Sequence, residues 1–255
     1  MTAPENPFFA RAIANRLWSH YFGRGLVEPV DDLRATNPAT NEPLLEELAK
    51  HLSDKKYDLK AFTRTLLNSR LYQLSSPNIR AAIGGGPHIL DNQNFSHAQP
   101  RAIPAEVLLD AICQATGMPE KFNGWPAGYR AIQIWDNRMP SYFFRIFGRP
   151  VRASVCECER SNEPSIAQAL HLMNSEEIAS KIRARTGAAR RLANSKMTPR
   201  EIIDELYLST LSRYPTDAER TLMLRVFTDA GDDRPAAVED VLWALLNSRS
   251  FVYNH

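Results

Sequence analysis

Thr198-Pro199-Arg200-Glu201-Ile202-Ile203-Asp204-Glu205-Leu206 carries the start and the apolar face of an α-helix in one run of sequence. A threonine followed three residues later by glutamate is a capping box, in which hydroxyl and carboxylate reciprocally satisfy amides that a helix start leaves free. Proline at the first helical position has no amide to leave unpaired. Ile202 and Leu206 then recur at helical spacing. The same device opens the next segment, Thr216-Asp217-Ala218-Glu219, ahead of Val226 and Phe227. Val238, Val241, Leu242 and Leu245 define a last helix.

The pattern holds toward the start of the chain. Asn6-Pro7 pairs a cap with proline at the first helical position, Phe9, Ile13 and Leu17 recur on one face, and Gly23 stops the helix. Asn41-Glu42-Pro43 starts a second stripe of Leu44, Leu45, Leu48 and Leu52. Asp58 caps a third, with Leu59, Phe62 and Leu66 inward. Pro104 opens a helix bearing Val107, Leu108, Ala111, Ile112 and Ala115, which Gly117 ends. The expected fold is mainly α, a multi-helical globular domain.

Two regions break the helical period. Ser75 to Gln99 carries Ser-Ser-Pro, Gly84-Gly85-Gly86-Pro87 and several asparagines, and reads as a long surface connection. Tyr129 to Trp135 alternates as a strand does, which predicts one small β element around residues 120–155. The expected organisation is an N-terminal helical part over 1–76, a loop or linker over 77–101 and a C-terminal helical part over 102–255, together one compact unit. Leu66-Leu67-Asn68-Ser69-Arg70-Leu71-Tyr72 recurs as Leu245-Leu246-Asn247-Ser248-Arg249-Ser250-Phe251, one helix-ending device used twice.

Composition bounds the function. The 255 residues are 44% hydrophobic and 24% charged, an ordinary globular balance with enough chain to bury a core. A formal charge of +2 from 31 basic and 29 acidic residues gives no electrostatic reason to expect nucleic acid as partner. No stretch approaches the roughly 20 apolar residues that span a bilayer, and Met1 to Asn6 does not read as a secretory signal. Three cysteines are too few for a disulfide-built scaffold.

The densest group of reactive side chains is Cys156-Glu157-Cys158-Glu159-Arg160, followed by a helical stretch containing Gln168, His171 and Asn174. Cys156 and Cys158 read three ways: a strained disulfide, two thiolates of a metal or redox site completed by His171, His97 or His88, or buried structural residues. Glu157, Glu159, Arg160 and His171 are the candidates for acid–base chemistry, against a structural ion-pair network. If the segment is extended, the thiols face one side and the carboxylates the other, forming a rigid turn beside a cleft. No Cys-x-x-Cys-His is present, so covalent haem is not expected; no cofactor is certain and a metal is left open. Asp31 to Glu42 fails as a calcium loop, because Leu33, Ala35 and Thr36 stand where oxygen ligands and glycine belong. Lys181 to Arg200 holds seven basic residues and no acid, read as a solvated face before a polymer-binding one. Asn15, Arg16, Trp18 and His20 sit together on the first helix and read as structural. No Gly-x-Ser-x-Gly, His-Glu-x-x-His or phosphate-binding glycine loop appears.

A family resemblance covers nearly the whole chain. Asn6 to Arg11, Asn15 to Val27, Asn94-Phe95-Ser96, Pro104 to Ala111, the Cys-Glu-Cys-Glu-Arg segment and the closing Leu-Leu-Asn-Ser-Arg-x-Phe resemble a planctomycete-specific domain of unknown function. Domains of this type form the C-terminal part of large exported proteins, after a cytochrome-c-like domain and a second uncharacterised domain. The resemblance implies an extracytoplasmic location, the upstream domains of the same parent as partners, and no catalytic residues to carry over. Those domains and an export signal are missing from this sequence, so a fragment is the expectation, with an apolar patch near Phe8 and Phe9 left open. The functional expectation is a non-catalytic accessory or binding domain whose other partner is a polysaccharide or similar polymer. The alternative is a hydrolytic or redox enzyme domain built on the Cys-Glu-Cys-Glu-Arg segment.

Overall fold

A computed structural model describes residues 6–74, 76, 93–135, 139–151 and 165–254. The fold is mainly α, and the chain divides into two compact units, Met1–Arg101 and Ala102–Asn254.

The first unit is built on α1 (Pro7–Phe22), α2 (Glu42–Asp54) and α3 (Leu59–Leu67). Each begins where a cap was read. Asn6 accepts from the Phe8 amide, Asn41 from Leu44, and Asp58 from both Lys60 and Ala61. Gly23 ends α1 at φ 84°, where a Cβ would also meet the Arg101 side chain at 3.0 Å. Trp18, Phe22, Leu45, Leu52, Phe62 and Leu66 fill the core between the three helices. The inward face of α1 is not the expected one. Ala10, Ala14, Trp18 and Phe22 are buried, while Phe9, Ile13 and Leu17 flank them half-buried. Ala10 and Ala14 are small where α1 is buried, and Trp18 and Phe22 on the same face fill the core. Leu59 is exposed, and so is Phe8 at 62%, whereas Phe9 packs edge-on against Tyr57.

The second unit holds α4 (Ala105–Thr116), α5 (Tyr142–Ile146), α6 (Ile166–Asn174), α7 (Glu176–Ile182) and α8 (Ala188–Ala193). It continues through α9 (Pro199–Leu211), α10 (Asp217–Ala230), α11 (Arg234–Leu246) and the short α12 (Arg249–Val252). Both capping boxes form: Thr198 with Glu201 at α9, and Thr216 with Glu219 at α10. Helix α11 is the central element and buries Ala237, Val238, Val241, Leu242, Leu245 and Leu246. It packs against α8, α9 and α10, and α4 covers α7, α8 and α9. Val107 on α4 faces outward, and Leu109 takes its place in the core.

The small β element is not where alternation put it. A two-residue strand β1 (Arg101–Ala102) pairs with β2 (Tyr253–Asn254), and Ile103 donates to the Val252 carbonyl. Between 120 and 155, Ala131–Gln133 is a turn of 3₁₀ helix, with no strand among the described residues there. The reason is Asp110 on α4. Its carboxylate accepts the amides of Ala131 at 2.6 Å and Ile132 at 3.2 Å, donors a strand would have given to a neighbouring chain.

The repeated Leu-x-Asn-Ser sequence ends helices in one geometry. Asn68 (φ −84°, ψ −2°) and Asn247 (φ −89°, ψ 0°) cap α3 and α11, and the next serine amide returns to the leucine carbonyl two residues before the asparagine. Asn194 and Ser195 do the same after α8.

Candidate functional site

His171 and His97 are the sequence-derived candidates for chemistry that the described residues include, and His171 is the buried one. Cys156, Glu157, Cys158, Glu159, Arg160 and His88 lie outside them, as does the proposed turn they were read to form. The histidine is buried on α6, with Leu172 beside it, while the rest of that helix is largely solvent-facing. Its ring sits among Tyr142, Phe143 and Phe147, with centroids at 5.4, 5.7 and 6.3 Å.

A helix break brings the histidine a partner. Ser165 and Gln168 form a capping box that starts α6. Ser175 then ends α6, its amide donating to the His171 carbonyl, and caps α7 by accepting the Ile178 amide on its hydroxyl. That turn carries Glu177 back toward His171, with Oε2 3.2 Å from Nε2. The two atoms are in contact, but the ring nitrogen has no hydrogen-bond partner of good geometry. One turn further along α7, buried Lys181 binds Glu120 at 2.8 Å. Cys113 on α4 faces the same Lys181–Glu120 pair.

Burial dominates the electrostatics of this cluster. Burial pushes the Glu177 carboxyl above its ordinary range, and the Glu120 charge adds to that, while His171 and Lys181 pull it down. Burial also raises the Cys113 thiol, with the Lys181 charge only partly offsetting it. A thiol displaced upward is neither a nucleophile nor a ready metal ligand at neutral pH. Among the described residues no three of His, Cys, Asp and Glu are grouped to hold a metal ion. The arrangement is the Lys181–Glu120 ion pair and the His171–Glu177 contact, set behind an aromatic wall. Its chemistry is that of a packed polar network, which costs stability when one partner is removed.

The other residues singled out from sequence separate. Gln168 donates to the Ile146 carbonyl at 2.9 Å and Asn174 is exposed, so they do not converge with His171. On α1, Asn15 is fully buried: its amide donates to the carbonyls of Val27 (2.9 Å) and Val30 (2.8 Å), and its oxygen accepts the Val27 amide. Gly25 lies against it, where a Cβ would come within 2.3 Å of the Val27 carbonyl. Arg16 makes a two-pronged pair with Asp31, Trp18 packs on Phe22 and Phe95, and His20 is exposed. The carboxylates of the failed calcium loop are each met by arginine: Asp31 by Arg16, Asp32 by Arg34 and Glu42 by Arg11. Of the seven cations between 181 and 200, only Lys181 is buried. His97 hydrogen-bonds Ser96 at 3.1 Å within the first unit.

A small cavity of about 20 Å³ adjoins this region, lined by Ile103, Leu108, Phe147, Gln168 and Tyr253. That is room for about one water molecule and not for a substrate.

Sequence reasoning missed Glu177, Lys181, Glu120 and Cys113. The signal was present in Asn174-Ser175-Glu176-Glu177, a serine cap immediately after a helix end, which turns the chain back on the residue one turn before it.

Against known proteins, a family model described as PSD1, protein of unknown function (DUF1553), matches residues 1–227. No curated protein and no solved structure matches the chain.

Proposed function

The chain belongs to the PSD1 family of proteins of unknown function (DUF1553), and from that premise we propose that it is a non-catalytic, helical binding domain of a larger protein. The observation that carries this reading is the outer face of α6. Ile166, Leu170 and Met173 recur at helical spacing and are all exposed, Ile166 at 80%. Tyr142 and Trp243 are also exposed, and the Trp243 indole donates to the Met173 carbonyl, so the helix end is held in place. A patch of this kind on a folded domain marks a contact with another protein surface. The same helix turns its polar histidine inward, against Glu177 and an aromatic wall. That division favours docking over catalysis.

The occupant of this face is a neighbouring domain of the same parent polypeptide. The resemblance supports a parent that is exported, carries a cytochrome-c-like domain, and is of planctomycete type. On this reading the chain works outside the cytoplasm and contributes no haem ligand of its own.

The test is to mix the purified chain with the domain that precedes it in a full-length family protein and measure association by calorimetry. Leu170→Asp should weaken that association by about tenfold or more, as loss of a central apolar anchor does, with unchanged far-ultraviolet circular dichroism. Wild-type affinity in Leu170→Asp would remove the reading.

A further inference from the structure

We infer that the turn from Phe122 to Trp135 is a platform for neutral polysaccharide, with Trp125, Tyr129 and Trp135 as the stacking surfaces. The inference rests on the binding-domain reading above and gives it a second, chemically distinct ligand.

The three rings are gathered on one short segment. Trp125 lies 5.5 Å from Tyr129 and 5.6 Å from Trp135, the latter edge to face at 75°. Trp135 is 79% exposed, and Tyr129 is exposed as well. Exposed rings on a loose loop would mean little, but this backbone is anchored at several points from Phe122 to Ile134. Phe122 is buried and stacks parallel to Phe144. The Trp125 amide donates to the Phe122 carbonyl, and Trp125 packs against the core. Ala131 and Ile134 are buried, and Asp110 accepts two successive amides of the 3₁₀ turn. Arg149 donates to the Ile134 carbonyl immediately before Trp135. The rings are therefore held outward by a rigid frame, the condition under which a surface binds without a large ordering cost.

The surroundings select the ligand. A pyranose ring presents an apolar C–H face ringed by hydroxyls, which matches aromatic faces flanked by hydrogen-bonding groups. Arg130 and Gln133 supply those groups at the rim, both exposed. Gly124 and Gly128 flank Trp125 with open space where a side chain would stand, so a flat ligand meets no obstruction there. A cationic ligand is disfavoured. The carboxylate at hand is Asp110, 9% exposed and already engaged by two amides and Arg130, whose guanidinium would repel a cation.

The experiment is affinity electrophoresis of the whole chain in native gels containing xyloglucan, galactomannan, β-1,3-glucan or dextran, with tryptophan fluorescence titration of any polysaccharide that retards it. At least one polymer should retard the wild-type protein. Trp135→Ala should weaken that association by about tenfold or more without changing the melting temperature, and Tyr214→Ala, an exposed aromatic elsewhere, should not. Retardation by none of the four, or undiminished binding by Trp135→Ala, overturns the assignment. So does a Trp135-dependent change of molecular mass in light scattering without polysaccharide binding, which would make the platform a self-association surface. Each of these failures leaves the α6 docking face, read out by Leu170→Asp, untouched.

Discussion

Glu219 shows how much one side chain does in this fold. Its carboxylate receives both Arg213 nitrogens, at 2.7 and 2.8 Å, and also the Thr216 amide and hydroxyl. The Arg213 hydrogen bonds, aided by Thr216, hold its pKa at about 2, below the ordinary 4.5. A carboxylate whose folded pKa is depressed stabilises the fold above its unfolded pKa, and that contribution is lost as pH falls through the folded value. Glu219→Gln should therefore lower stability by about 1 kcal/mol at neutral pH; the side chain is a third exposed, which keeps the effect well below what the shift alone would give. The difference between variant and wild type should shrink as pH is lowered from 4.5 toward 2 in thermal melts. A constant difference across that range would show that Glu219 acts through packing and not through charge.

At the scale of elements, the turn over Ala131–Gln133 depends on an acceptor 21 residues away. Asp110→Ala would leave the fully buried Ala131 amide without a partner and free Arg130, at a cost of about 2 kcal/mol. Urea unfolding should show that loss. Near-ultraviolet circular dichroism should fall as Trp125 and Trp135 lose their fixed geometry, while the helical far-ultraviolet signal persists. The same turn explains where sequence reading stopped. Helix starts were legible at Asn6, Asn41, Asp58, Thr198 and Thr216 because a cap and its amide lie two or three residues apart. Tyr129 to Trp135 alternates in sequence as a strand does, yet the buried positions are Ala131 and Ile134, and a three-residue spacing is that of a 3₁₀ turn. The deciding hydrogen bonds came from a different helix, and no local pattern displays those. His171 was legible as a polar residue on a helix, but its partners were not: Glu177 reaches it only through the Ser175 break, and Glu120 and Lys181 complete the network from two separate elements.

For the molecule as a whole, the distribution of the core carries the last prediction. The buried residues fall into two clusters that share no member. One runs from Ala14 to Leu66, the other from Ala105 to Phe251. The second cluster contains the central α11 and every helix from α4 onward that buries a side chain, and the compact unit that holds it spans Ala102–Asn254. A segment with its own core, capped helices and paired chain ends meets the conditions for folding alone. Residues 102–254 expressed by themselves should therefore give a helical spectrum and a single cooperative unfolding transition in urea. Residues 6–101, whose three helices among the described residues surround a smaller core, should be less stable, since small units bury a smaller fraction of their surface. Calorimetry of the whole chain should then resolve a second, lower transition. If 102–254 proves soluble but non-cooperative, the two cores depend on each other and the chain folds as one unit. Cooperative unfolding of 102–254 would also confine the Leu170→Asp and Trp135→Ala experiments to this segment, because α6 and the aromatic platform both lie within it.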